Sequence, residues 1–204
     1  MSTIFIELVR RLISAMGAIA SALLILLVIL MCYNVIARYA FSASSIGLEE
    51  LGWHTYAVIF LLGIPYALQS GSHVRVDLLF EKMSLRNKLL VDLVGTALFL
   101  IPTCLVIIYT GWQFTSAAYH LGTQPDSVSQ FFNQLLSTGI GERSQDPGGL
   151  LNRWIIKAVI PLSFLFLLLA ATASLLEKWM EFRAAFTDGK HTGESQRNSG
   201  AKKT

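Results

Sequence analysis

Four apolar stretches, each about as long as a lipid bilayer is thick, constrain this chain most strongly. They cover about residues 12–36, 51–68, 89–109 and 155–176. A hydrocarbon core of about 30 Å is crossed by about 20 helical residues, so each stretch is long enough to span it once. A segment that faces lipid can satisfy all its backbone hydrogen bonds by itself only as a helix. The pattern therefore predicts an all-α integral membrane protein built as a bundle of four transmembrane helices.

Composition leaves little room for a soluble domain. Only 14% of the 204 residues are charged and 53% are hydrophobic, whereas soluble domains carry about 25% charge. We therefore predict one membrane domain over residues 1–187, followed by a disordered cytoplasmic tail over residues 188–204, which is rich in Gly, Ser, Lys and Thr. The first apolar stretch is too long for a cleaved signal peptide, so we expect it to remain as an anchor.

The distribution of basic residues predicts the orientation in the membrane. Twelve of the 16 Lys and Arg residues precede the first span, lie between the second and third spans, or follow the fourth. The other four lie on the opposite side, and they are Arg38, Arg143, Arg153 and, at the outer end of the fourth span, Lys157. Positive charge stays in the cytoplasm during insertion, so both termini should be cytoplasmic in a bacterial inner membrane. Interfacial belts of tryptophan agree with this layout, with three residues at the outer ends and one at the inner end: Trp53, Trp112, Trp154 and Trp179. The net charge of +3 is thus explained by the membrane, and we expect no nucleic-acid partner.

Small residues and prolines bear on how the helices pack. Small residues recur at four-residue spacing in the first and fourth spans, a pattern that favours close helix contacts, and they are Ser14, Ala18, Ala22, Ala170 and Ser174. The second, third and fourth spans each contain one proline, namely Pro65, Pro102 and Pro161. Each proline frees a backbone carbonyl that a neighbouring helix can satisfy, and we favour static bends over transporter hinges.

The connection over residues 120–153 is predicted to contain a short outer amphipathic helix. Its apolar residues have the spacing of one helix face: Val128, Phe131, Phe132, Leu135 and Leu136. Asp126 or Ser127 would cap the start of this helix, and Gly139 and Gly141 would end it. Two interpretations remain open, a helix that lies flat among the lipid headgroups and a helix that docks to a partner, and we favour the first.

The interior of the predicted bundle offers little chemistry. Apart from Lys157 at the outer end of the fourth span, the charged residues and histidines within the spans are His54 and Asp92, each about one turn from an end. Transporters bury polar groups or broken helices near the membrane midplane, and this chain lacks both. Cys32 and Cys104 lie in apolar spans without the spacing of a metal or disulfide motif. We therefore predict no catalytic residues, no metal and no cofactor, and a chain that does not carry substrate by itself.

Polar residues gather instead in two patches at the membrane boundaries. The outer patch joins Arg38 to the adjacent acids Glu49 and Glu50, followed by Trp53. Ordinary snorkelling and helix capping would explain it, as would a salt-bridged junction held against a partner subunit. In the inner patch, polar and apolar residues alternate over residues 72–79, and the polar ones include His73, Arg75 and Asp77.

The inner patch has two possible interpretations. Metal binding would rest on His73 and Asp77, but two ligands are too few. A loop held together by local hydrogen bonds and ion pairs on the cytoplasmic face is the better interpretation. We predict that the charged and aromatic residues of the two patches lie at a subunit interface or membrane boundary.

These patches resemble the small membrane subunit, the DctQ type, of tripartite ATP-independent periplasmic (TRAP) transporters. The resemblance rests on Arg38-Tyr39 with Phe41, Glu49-Glu50-Leu51 with Trp53, Leu62-Gly63, and His73-Val74-Arg75-Val76-Asp77. A second stretch, with Gly141-Glu142, Asp146-Pro147-Gly148-Gly149-Leu150 and Arg153-Trp154, looks like the mannitol/chloroaromatic branch. The resemblance implies a non-catalytic subunit that scaffolds a large membrane subunit during sodium-coupled import of an organic acid. It implies as partners that large subunit, a periplasmic substrate-binding protein and membrane lipids.

Two other functions follow from the residues alone. A haem-binding electron-transfer subunit would use histidines on facing helices, and His54 and His120 both lie near the outer face. However, His120 lies beyond the third span, whereas haem ligands need matched depth. An autonomous small transporter or channel is disfavoured by the apolar midplane.

Overall fold

The computed structural model describes the backbone of residues 2–71, 85–122 and 124–201, and the side chains of residues 4–71, 87–122 and 124–183. In these ranges the regular structure is entirely helical, which confirms the predicted fold class. The helices are α1 Ser2–Phe41, α2 Ile46–Gln69, α3 Leu85–Gly95, α4 Ile101–Tyr119, α5 Val128–Ser137 and α6 Arg153–Ala201, and a π-helical turn at Thr96–Leu100 joins α3 to α4.

Four helical segments are long and apolar enough to cross a membrane: Ile4–Phe41, Ile46–Gln69, Asn87–Tyr119 and Arg153–Arg183. Each predicted span lies inside one of them. The segments are longer than predicted because the helices continue beyond the apolar core into polar turns. The 38 residues of the first segment would reach about 57 Å, compared with a hydrocarbon core of about 30 Å.

In the predicted orientation, the outer end of the bundle carries the connections over residues 42–45 and 120–152, and the inner end is opposite. The backbone of α6 is helical as far as Ala201, so it overlaps the tail from Asp188 onward. The disorder of that tail remains a prediction.

Helix α6 is the centre of the arrangement, because α1, α2 and the span formed by α3 and α4 all contact it. Helices α1 and α2 also contact each other. In the described parts of the chain, α4 packs extensively against α6 and not against α1 or α2, so the bundle is open on the α4 side. A small apolar core fixes α1 to α6 near the inner end, formed by Ile6, Val9, Ile13, Ala170 and Ala173.

The small-residue face of α1 is not the face that packs against α6 within this chain. Ala18 and Ala22 are exposed, and Ser14, although exposed, accepts a hydrogen bond from Gln69 of α2. The buried stripe on α1 instead includes Met16 and Ala20. Small-residue spacing identifies a face that would allow a close approach, but it does not identify which of several helices approaches. In α6, by contrast, Ala170 lies in the core as expected.

Pro65 illustrates how a proline is accommodated inside a membrane helix. Its nitrogen has no hydrogen to donate to the carbonyl of Leu61, four residues earlier in α2. The hydroxyl of Ser163 in α6 donates a hydrogen bond to that carbonyl instead. Ser163 is 1% exposed and Pro65 is also buried, so the bond ties α2 to α6 where no water can replace it. This contact satisfies the carbonyl that the sequence analysis expected a neighbouring helix to satisfy.

Of the other two prolines, Pro161 lies at the contact between α4 and α6 and Pro102 is exposed. Gly111 of α4 lies against the ring of Pro161, and a Cβ atom at Gly111 would come within 3.2 Å of Pro161 Cδ. The missing side chain therefore allows the two helices to approach closely. Pro102 lies in the first turn of α4, directly after the π-helical turn at Thr96–Leu100. A π-turn adds a residue to the helical turn, which changes the register of α4 relative to α3.

Candidate functional site

In the outer patch, the two adjacent acids at the start of α2 make different contacts. Helix α2 begins after Ser45, which has an extended backbone and no side-chain capping bond. Glu49 Oε2 lies 3.2 Å from Arg38 Nη2, and both side chains are about half exposed (51% and 48%). This pair joins the end of α1 to the start of α2 across the connection at residues 42–45. The predicted pairing of Arg38 with one of the two acids is therefore present.

Glu50 faces the long outer connection instead. Its Oε1 accepts a hydrogen bond from Ser144 Oγ at 2.5 Å, and its Oε2 accepts one from the Leu150 backbone N–H at 2.7 Å. Both partners lie about 100 residues away in sequence, so no local sequence pattern predicts the contact. The carboxylate thus anchors the outer connection to the first turn of α2. Glu49 also lies in the first turn of α2, where a negative charge suits the helix start.

The segment that Glu50 anchors is a closed turn. The Ser144 N–H donates to Leu150 O at 3.0 Å, and the Gly149 N–H donates to Asp146 O at 3.0 Å. Gly148 has a φ of +80°, which favours glycine, and a Cβ atom at Gly149 would clash with the Ser144 side chain. The Asp146-Pro147-Gly148-Gly149 motif therefore has a structural explanation, because it forms the turn that receives Glu50.

Of the remaining patch residues, only Trp53 lies in the described part of the chain. It is 67% exposed, one turn after Glu49, so its ring is directed away from the rest of the chain. His73, Arg75 and Asp77 lie outside the described residues, and so does the metal site that His73 and Asp77 would form. The interface role of all seven patch residues remains a prediction.

The predicted outer helix is present as α5. Ser127 Oγ accepts a hydrogen bond from the Gln130 N–H at 3.3 Å, so Ser127 rather than Asp126 is the cap. After the helix ends at Ser137, Gly139 has a φ of +75° and its N–H donates to Gln134 O at 2.6 Å. Both ends of the helix are therefore formed by residues that the sequence singled out.

The apolar residues of α5 do not form one buried face. Phe131 and Leu135 are partly buried against the chain, whereas Val128, Phe132 and Leu136 are exposed. Asn152, just before α6, determines this orientation. Its side chain donates to Leu135 O at 2.9 Å and accepts from the Ile140 N–H at 2.6 Å. The outer connection is thus a folded cap over the bundle.

A partly buried ion pair connects this cap to α6. Lys157 Nζ pairs with Glu142 Oε2, and their side chains are 18% and 25% exposed. The same ammonium lies 4.1 Å from the centre of the Phe114 ring of α4, where a cation–π contact adds to the pairing. Neither residue stands out as a site in the sequence. A lysine in the first turn of an apolar span, facing a connection that contains a glutamate, was the available signal.

Ion pairs also connect the helices at the inner end. Lys178 Nζ of α6 lies 2.6 Å from Asp92 Oδ2 of α3, and both side chains are largely buried. Arg10 of α1 pairs with Glu177 of α6 at 2.7 Å. Asp92 was noted from the sequence as an ionisable residue near the end of a span, and it is paired as buried charges usually are. Within the described ranges, no three His, Cys, Asp or Glu side chains gather closely enough to hold a metal ion.

Comparison with known families identifies the chain. A model of the DctQ component of tripartite ATP-independent periplasmic transporters matches residues 27–181, well over half of the chain. A search of curated proteins found no match. The matched region includes the outer patch, the folded cap and the spans, except for the part of α1 that precedes residue 27. Nothing in the match supports the haem alternative. This family is a membrane component of a transporter and not an enzyme, and its members work with a large membrane subunit and a substrate-binding protein. The chain therefore belongs to the DctQ family of small membrane subunits of TRAP transporters.

Proposed function

We propose that this chain is a rigid, non-transporting brace for the large subunit of a TRAP transporter that imports an organic acid with sodium. The supporting observation is that its charged residues form ion pairs within the chain. The ion pairs Arg10–Glu177, Lys178–Asp92 and Lys157–Glu142 join α6 to other parts of the same chain at both ends of the bundle. A moving transporter needs elements that separate and rejoin, whereas these ion pairs hold α1, α3 and the outer connection to α6. The hydrogen bond from Ser163 to Leu61 O holds α2 to the same helix.

The surface that would contact the large subunit includes the boundary residues of the outer patch. The Arg38–Glu49 pair is half exposed and Trp53 projects outward, so both are accessible to another protein. The exposed stripe of α5 formed by Val128, Phe132 and Leu136 would lie in the outer headgroup region, as the sequence interpretation favours. Both chain termini would lie in the cytoplasm, as the basic residues indicate.

Reconstitution into proteoliposomes tests this function. Vesicles would contain the chain alone, the large subunit alone, or both, each with an inward sodium gradient and substrate-loaded binding protein outside. We expect uptake of radiolabelled substrate only when both membrane subunits are present. Vesicles without a sodium gradient are the matched control. Sodium-driven uptake by the chain alone would contradict the proposal.

A further inference from the structure

The outer cap carries an open groove of about 600 Å³ beside the end of α4 and the start of α6. Its lining residues are Leu121, Gly122, Gly141, Glu142, Arg143, Gln145 and Arg153. Two glycines open this space, and both have left-handed backbones, with φ of +93° at Gly122 and +69° at Gly141. Gly141 lies so close to the end of α4 that a Cβ atom would be 2.6 Å from Ala118 O. The groove is therefore part of how the cap is built.

Two guanidinium groups line this groove without an ion-pair partner. In the parts of the chain that the structure describes, neither Arg143 nor Arg153 forms an ion pair or a side-chain hydrogen bond. The nearby acids are already engaged. Glu142 pairs with Lys157, and both oxygens of Glu50 are occupied by Ser144 and Leu150. Arg153 forms no ion pair but already interacts electrostatically with the Glu50 carboxylate. Among the described residues, Arg143 is therefore the groove's positive charge that no carboxylate offsets.

Backbone hydrogen bonds fix the main chain around these two arginines. The Arg153 N–H donates to Glu142 O at 3.0 Å, next to the bond from the Ser144 N–H to Leu150 O. These two bonds pair the segments on either side of the closed turn, with Arg143 between Glu142 and Ser144. These bonds fix the backbone from which the two side chains extend, and guanidinium groups recognise carboxylates through paired hydrogen bonds.

We infer that this groove binds an acidic side chain on the surface of the periplasmic substrate-binding protein. The inference rests on the proposed function, which supplies that partner. Sites for small molecules enclose their ligand between apolar walls, but Leu121 is the one large apolar residue in this lining and Arg143 is exposed. A carboxylate delivered by a protein needs no such enclosure, because the rest of the interface supplies the contact area.

The test measures binding of the binding protein to the complex of both membrane subunits in nanodiscs, by biolayer interferometry. We expect Arg143→Gln to weaken binding at least about tenfold at low salt, and Arg143→Glu to weaken it further. Arg143→Lys should fall between wild type and Arg143→Gln, because it keeps the charge but loses the paired geometry. The ratio of wild-type to Arg143→Gln affinity should shrink as NaCl rises from about 0.05 to about 0.5 M, since exposed charges are screened.

Asn133→Asp is the matched control. It makes the same change in net charge on an exposed residue of α5, outside the groove, so we expect wild-type binding. Equal weakening by Asn133→Asp and Arg143→Gln would overturn the inference in favour of a diffuse charge effect. Wild-type binding by both Arg143→Gln and Arg153→Gln would also overturn it.

Two further measurements separate this inference from other outcomes. Succinate would be titrated against the chain alone in nanodiscs, with Trp154, next to Arg153, as the fluorescent reporter. Saturable binding that Arg143→Gln abolishes, together with unchanged affinity for the binding protein, would make the groove a small-molecule site and overturn the inference. Co-purification of the two membrane subunits tests the proposed function separately. If these subunits assemble but the arginine variants bind normally, the groove inference alone fails.

Discussion

Replacing Glu50 by alanine should release the outer cap from α2, whereas replacing the adjacent Glu49 should leave it in place. Glu50 accepts hydrogen bonds from Ser144 and Leu150. A bond to a charged acceptor contributes about 1.5 to 3 kcal/mol, and partial exposure places each of these near the lower value, so the loss is about 3 kcal/mol. The exposed pair of Glu49 with Arg38 contributes about 0 to 1 kcal/mol. The larger loss corresponds to about a hundredfold increase in local opening of the cap.

Hydrogen exchange measured by mass spectrometry on the chain in nanodiscs would show this difference. Peptides over residues 142–152 contain the Ser144 and Gly149 amides, both bonded within the turn. We expect exchange about a hundredfold faster in Glu50→Ala, within about fivefold of wild type in Glu49→Ala, and intermediate in Glu50→Gln, which keeps one acceptor oxygen. Equal exchange in Glu50→Ala and wild type, or equal acceleration in both alanine variants, would refute the assignment of Glu50 as the anchor.

Three further variants probe the bundle itself, each by thermal unfolding in detergent. Ser163→Ala removes the hydroxyl that donates to Leu61 O and should lower the free energy of unfolding by about 1 to 2 kcal/mol. An unchanged melting temperature would mean that this carbonyl has another donor. Gly111→Leu would place a side chain against Pro161, since a Cβ atom at position 111 would already lie 3.2 Å from Pro161 Cδ. The free energy of unfolding should fall by about 1 to 3 kcal/mol, and an unchanged melting temperature would argue against the close contact. Leu136→Ser, at a residue that is 85% exposed, should change stability by less than about 0.5 kcal/mol, and strong destabilisation would show that α5 is packed inward at this position.

The sequence was most informative where structure depends on local chemistry. The apolar runs located all four spans, and Ser127 and Gly139 marked both ends of α5. Hydrogen bonding and hydropathy within a few residues decide these features. Even the carbonyl freed by Pro65 could be anticipated, because the missing N–H is a property of proline itself.

Contacts between distant segments could not be predicted in the same way. Glu50 anchors the outer cap by bonding residues about 100 positions away. Because Glu49 and Glu50 are adjacent and chemically alike, the local sequence does not indicate which of them makes this contact. The buried stripe of α1 differs from the small-residue stripe for a related reason. Ala18 and Ala22 would allow close packing, but α6 approaches the face that carries Ile13. Helix periodicity defines the faces, and the positions of the other helices decide between them.

Rigidity of the bundle during transport is the central claim, and a distance measurement between spin labels tests it most directly. Labels would replace the exposed Tyr39 of α1 and Trp112 of α4, after Cys32→Ser and Cys104→Ala remove the free thiols. The chain would be assembled with the large subunit, and distances would be measured by pulsed electron paramagnetic resonance with and without sodium and substrate-loaded binding protein. We predict one distance population that does not change. A second population displaced by about 5 Å or more, the scale of a one-turn helix shift, would contradict a static brace.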